Sequence, residues 1–91
     1  MKKAVLAEIS GRVQGVGYRY FALKQATQLG LTGYVKNRFN GSVEVFAQGE
    51  SDLVEQFLRI LEQGPHFAEV DILQREEAEL TKDYDSFIIE Y

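Results

Sequence analysis

Gly11-Arg12-Val13-Gln14-Gly15-Val16-Gly17-Tyr18-Arg19 joins an apolar, β-rich run, Ala4 to Ile9, to a segment of helical periodicity that ends at Leu29-Gly30. Its three glycines help neither a helix nor a strand, because glycine gives up the most backbone freedom on being ordered. They permit a tight loop whose main-chain N–H groups turn inward, with no Cβ to block a ligand. The first amides of the following helix lack internal partners and add the positive end of its dipole. A strand–glycine loop–helix junction of this kind suits an anion. Arg19, in the first helical turn, adds a planar, permanently charged fork that fits phosphate oxygens. The stretch reads as a phosphoryl-binding cradle.

Residues 4–13 read as a strand, with Val5, Ala7, Ile9 and Val13 on one face and Glu8, Ser10 and Arg12 on the other. Gly11 near its end marks a bulge or a close approach of another backbone. From Tyr18 to Leu29, Tyr18, Phe21, Ala22, Gln25, Ala26 and Leu29 share one side of a helix, and Gly30 stops it. Residues 31–38 and 42–48 read as strands, and Asn40-Gly41 between them is a hairpin signal. Gly49-Glu50-Ser51-Asp52 opens a second helix, with Ser51 or Asp52 expected as its cap and Glu55 supporting the first turn. Leu53, Val54, Phe57, Ile60 and Leu61 form its expected buried stripe, and Gly64-Pro65 ends it. Phe67 to Gln74 alternates as a strand and Arg75 to Asp85 reads as a charged turn. Phe87, Ile89 and Tyr91 imply a short closing strand. The order predicts an α+β fold, the ferredoxin-like β-α-β-β-α-β sandwich. It would have an antiparallel sheet, two helices on one face and a short extra C-terminal strand. Residues 1–91 are expected to form a single domain.

With 91 residues, 45% of them hydrophobic, and one proline, the chain is long enough for one core and too apolar for a disordered tail. It has no cysteine, which removes disulfides, thiolate chemistry and cysteine zinc sites. No apolar run approaches membrane-spanning length, and the short run after Met1-Lys2-Lys3 is broken by Glu8, a poor signal peptide. The cytoplasm is the expected compartment. A net charge of −4 disfavours a nucleic-acid surface. Positive potential must therefore be concentrated locally, with Arg12, Arg19, Lys36 and Arg38 as candidates around the cradle. Scattered solvated charge is the competing reading for all of these except Arg19, because an arginine at a helix start opposes the dipole unless an anion lies nearby.

In the predicted fold the first two strands run the same way with the hairpin's second strand between them, so their carboxyl ends emerge at one edge, roughly 9–10 Å apart. One end leads into the cradle and the other carries Asn37. Asn37 has two readings: a side chain that positions a water, and ordinary turn chemistry. Neither common nucleotide fingerprint is present, since Gly17 is followed by Tyr18-Arg19-Tyr20. His66, the only histidine, falls in a predicted loop where exposure is the simple expectation. Acidic residues at 76, 77 and 79 read as a solvated face, and no histidine–carboxylate cluster has metal-ligand spacing. A cradle with an arginine but no nucleophile or general acid can stabilise charge and position a water. That suffices for phosphoryl transfer when the leaving group needs no proton, as with a carboxylate whose acid has a pKa of about 4. The chemistry points to mixed anhydrides of carboxylic and phosphoric acids, with a binding-only pocket as the alternative.

G-R-V-Q-G-V-G-Y-R at 11–19 and G-Y-V-K-N-R-F-N-G-S-V-E at 33–44 together resemble the two signatures of the acylphosphatases. The likeness continues through L-G-L at 29–31, G-P at 64–65 and the terminal F-I-I-E-Y. The resemblance implies hydrolysis of a small acyl phosphate to a carboxylate and inorganic phosphate, without metal or cofactor, in the ferredoxin-like fold. It assigns phosphate binding to Arg19 and the loop amides of Gln14, Gly15, Val16, Gly17, Tyr18 and Tyr20. It gives Asn37 the attacking water, whose proton passes to a substrate phosphate oxygen. No nucleic-acid or membrane partner is implied, and a monomer is expected. Asn40 stands where aspartate is common, and Glu90 where many members carry arginine; Glu90 would weaken substrate attraction if it lay near the cradle. Two other classes compete. One is a ferredoxin-like RNA-binding module, which lacks its aromatic RNP pattern here. The other is a non-catalytic anion-binding or interaction module of the same fold.

Overall fold

A computed structural model describes residues 1–91 as β1 (Lys2–Arg12), α1 (Tyr18–Gln28), β2 (Thr32–Asn37), β3 (Val43–Glu50), α2 (Ser51–Gln63), β4 (Glu69–Ala78) and β5 (Phe87–Glu90). The strands form one sheet in the order β4-β1-β3-β2-β5. β1 is antiparallel to both β3 and β4, and β3 is antiparallel to β2. β1 and β2 therefore run the same way with β3 between them. Val5, Ala7 and Ile9 of β1, Val43, Val45 and Ala47 of β3, and Val35 of β2 turn to one face. There they meet Tyr18, Ala22 and Ala26 of α1 and Val54, Phe57, Leu58 and Leu61 of α2 in one core. The architecture is the ferredoxin-like sandwich, and no helix is long and apolar enough to cross a membrane.

The sheet is mixed rather than wholly antiparallel, because β5 pairs parallel to β2. The reason lies in the crossover before it. β4 ends where Ala78 faces Ala4, at the end of the sheet where β1 and β2 start, so a chain crossing there enters the far edge in β2's direction. β4 also continues through Arg75, Glu76 and Glu77, which the sequence places in a turn. Their main chains pair with Ala7, Leu6 and Val5, and charged side chains on an edge strand do not interrupt a ladder. The crossover lies over the helix-free face. Thr81 N–H donates to Gln48 Oε1 at 2.9 Å, Gln48 Nε2 donates to the Thr81 carbonyl at 2.8 Å, and the Tyr84 ring sits 5.7 Å from Tyr34.

Local signals explain most boundaries. The register of β1 against β4 shifts at Ser10/Gly11, where a Cβ on Gly11 would strike the Glu69 carbonyl. α1 closes with Leu31 N–H on the Ala26 carbonyl and Gly30 N–H on that of Thr27, the paired bonds of a Schellman turn. α2 departs from expectation at its start. β3 runs directly into it, so Ser51 is already helical, Glu50 is the N-cap, and no side chain caps it. Ser51 N–H is instead satisfied by the Met1 carbonyl at 2.8 Å. Leu58 joins the buried stripe, while Leu53 and Ile60 stay partly exposed.

Glu55 does not serve the first turn of α2 either. It accepts two hydrogen bonds from Arg75, at 2.7 and 2.5 Å, and one from Lys3, tying α2 to β4 and β1. The Arg75 bonds, then the Lys3 bond, lower its carboxyl from 4.5 to about 2. A carboxyl depressed on folding stabilises the native state above its unfolded pKa, and that contribution is lost as pH falls toward the folded value. Allowing for a side chain that is one-third exposed, Glu55→Gln is expected to cost about 1 kcal/mol at pH 7. Urea midpoints for the two proteins should converge between about pH 4.5 and pH 2. An equal gap at both ends of that range would contradict the assignment.

Candidate active site

Between β1 and α1 the chain turns through Gly15 at φ 74° and Gly17 at φ 83°, while every non-glycine residue keeps a negative φ. Changing hand at Gly15, Val16 and Gly17 points successive N–H groups to one side, the geometry of an anion-binding nest. Gly17 is the N-cap of α1, with no side-chain cap and no acidic residue in the first turn. The N–H groups of residues 14 to 20 donate to no main-chain acceptor, and the first bond of the helix runs from Phe21 N–H to the Gly17 carbonyl at 3.1 Å. A stretch of unspent donors at the positive end of a helix is a local well for negative charge, even in a chain of net charge −4.

Of the four candidate cations, three are committed elsewhere. Arg12 lies 3.6 Å from Glu69, Lys36 4.0 Å from Glu44, and Arg38 3.4 Å from Glu8 and 3.9 Å from Glu44. Arg19 pairs with no carboxylate. Its half-buried guanidinium lies 5.0 Å from the centre of the Tyr91 ring, a contact that orients the fork without engaging its N–H donors. Tyr18 is fully buried and its hydroxyl donates to the Leu61 carbonyl at 2.7 Å, which locks the start of α1 against α2. Burial pushes that phenol's pKa upward. Tyr20, by contrast, is exposed.

Asn37 is the last residue of β2, and its Oδ1 is buried with no hydrogen-bond partner. An unpaired buried acceptor costs about 1–3 kcal/mol. Turn chemistry would have satisfied it, and turn chemistry belongs instead to Asn40. The Oδ1 of Asn40 accepts from Ser42 N–H at 3.0 Å, and its Nδ2 donates to Glu8 at 3.1 Å. An aspartate at position 40 would set a second negative charge against Glu8. Hydrogen bonds from Ser42 and Asn40, then the Arg38 charge, hold the Glu8 carboxyl below its usual range. The Glu90 carboxylate turns to the helix-free face of the sheet. It accepts from Tyr84 Oη at 3.2 Å, while its neighbour Ile89 lines the cradle's cavity.

Two features were not foreseen from the sequence. The side chain of Gln14 donates to the carbonyls of Arg38 and Ser42, both at 2.8 Å, and so fastens the cradle to the β2–β3 hairpin. Tyr91 lines both a cavity of about 320 Å³ bounded by Gly15, Gly17 and Arg19 and a second of about 580 Å³ bounded by Asn37 and Phe39. The only sequence hint of the first was a lone carboxamide inside a glycine loop. The second had none. His66 is exposed, as expected.

Free amides, an unpaired guanidinium and an unpaired carboxamide oxygen at one edge of a ferredoxin-like sheet define a small α+β protein with a loop suited to an anion. The acylphosphatase family model matches residues 5–89. An acylphosphatase of Vibrio vulnificus is 51% identical over 81 residues, 89% of each chain. Among solved structures, an acylphosphatase from Bacillus subtilis superposes with a TM-score of 0.92 at 34% identity over the whole of both chains. One from Coxiella burnetii superposes with a TM-score of 0.90 at 37% identity, covering 98% of this chain and 93% of that one. The chain belongs to the acylphosphatase family. Its activity is that of a hydrolase acting on small acyl phosphates.

Proposed function

We propose that hydrolysis takes place with the phosphoryl oxygens held by the N–H groups of residues 14 to 20 and by Arg19, and with the attacking water held on Asn37 Oδ1. The observation that carries this reading is the set of unpartnered groups at one sheet edge: donors that suit an anion, and a buried acceptor that suits a water. The water oxygen forms a bond to phosphorus as the bond from phosphorus to the acyl oxygen breaks. The electron pair departs on the carboxylate, whose acid has a pKa of about 4 and which needs no proton to leave. One water proton stays on the new P–O bond and the other passes to a phosphoryl oxygen, so no protein base is required. Positioning removes much of the entropic barrier, and Arg19 with the amides balances charge on the phosphoryl oxygens.

On this reading the reaction needs neither metal nor cofactor, and residues 1–91 act as one domain and as a monomer in the cytoplasm. The single core supports one domain. The test is phosphate release from a small acyl phosphate before and after exhaustive chelation. Equal rates are expected, and a rate that collapses in chelator and returns with a divalent cation would refute the metal-independent route.

A further inference from the structure

We infer that Glu8 is a positioning residue for the reaction: from the helix-free face its carboxylate fixes the hairpin that carries Asn37, and so fixes where the attacking water sits. The inference rests on the placement of water proposed above. Ala7 and Ile9, on either side of Glu8, turn into the core, so Glu8 stands on the opposite face of β1. There it faces Glu44 across the β1–β3 pair. Carboxylates opposed in this way repel each other, and a neutral side chain at position 8 would suit the sheet better. What Glu8 reaches accounts for its presence. Its Oε2 accepts from the Ser42 hydroxyl at 2.7 Å and from Asn40 Nδ2 at 3.1 Å, and lies 3.4 Å from Arg38 Nη1.

All three partners belong to the turn between Asn37 and Val43, and all three are donors. A carboxylate, which only accepts, can serve them together. Ser42 is 4% exposed although it stands in a turn, and its carbonyl takes the Arg38 N–H at 2.9 Å. Arg38 follows Asn37 in the chain, and Val43 pairs with Asn37 in the ladder. Both ends of the turn are thus tied to β1, the strand that leads into the cradle. Gln14 holds the same turn by its carbonyls, whereas Glu8 holds it by its side chains. The Asn37 oxygen has no protein partner of its own, so its place is set by the main chain that Glu8 anchors. A misplacement of about 1 Å can cost on the order of 10²-fold in rate.

The experiment measures kcat for acetyl phosphate and inhibition by inorganic phosphate, with thermal unfolding to ensure that each variant is fully folded at the assay temperature. Glu8→Gln should lower kcat about five- to tenfold and leave phosphate inhibition within about twofold. Ser42→Ala, a gentler change to the same contact, should lower kcat about two- to fivefold with the same split, and it decides the matter if Glu8→Gln does not fold. In an Asn37→Ala background Glu8→Gln should cost less than about twofold more, because no held water remains to be misplaced. Glu76→Gln, on the same face and beside the same cavity of about 270 Å³, should change neither quantity. Unchanged kcat in folded Glu8→Gln, an equal loss in both backgrounds, weakened phosphate inhibition, or a matching loss in Glu76→Gln would overturn the inference. Full activity in Asn37→Ala would overturn the water placement itself, and this inference with it.

Discussion

Replacing Arg19 with glutamine will lower kcat/KM for an acyl phosphate by at least about 10²-fold and weaken inhibition by inorganic phosphate. Glutamine preserves length and hydrogen bonding but removes the charge and the two-pronged geometry that match phosphate oxygens. The guanidinium forms no ion pair, so its removal leaves no buried carboxylate orphaned, and the contact it gives up is that with the Tyr91 ring. Folding should therefore be preserved, and thermal unfolding of the variant checks it. An Arg19→Gln protein that unfolds normally and binds phosphate as tightly as wild type would remove Arg19 from the site.

Asn37→Ala should cost at least about 10²-fold in kcat while leaving phosphate inhibition nearly intact. The two halves of the site act on different reactants, so the variants should separate in this way. The substitution also removes the one buried side-chain oxygen that lacks a partner. Unlike most deletions of a buried polar group, it should leave stability unchanged or raise it slightly. Reduced activity combined with normal or higher stability is the signature of a group retained for chemistry. Parallel loss of phosphate binding in both variants would contradict the division of roles.

The sequence displayed the fold well where local rules act alone. Alternation in Val5, Ala7 and Ile9, helical spacing from Tyr18 to Ala26, and Gly30 and Gly64-Pro65 as stops each follow from a few neighbouring residues. It failed where the deciding partner is remote. Arg75 to Glu77 are strand because β1 pairs with them, and β5 is parallel because of where β4 ends. The cap of α2 shifted because Met1 supplies an acceptor that no local pattern shows.

The candidate site divides in the same way. The cradle and Arg19 were visible because glycine spacing and a helix start lie within nine residues. Asn37 was ambiguous, since the sequence cannot show that its oxygen lacks a donor while Asn40 performs the turn chemistry. Gln14 and Tyr91 were invisible in these roles, because each depends on which distant group the side chain reaches.

The Gln14 carboxamide, clasping the Arg38 and Ser42 carbonyls, acts as the gauge block of the molecule. It sets the gap between the glycine loop and the hairpin that begins at Asn37, and the carboxamide does so without touching what they grip. Natural variation at this position would retune reach rather than grip, giving selection a dial separate from both reactive halves.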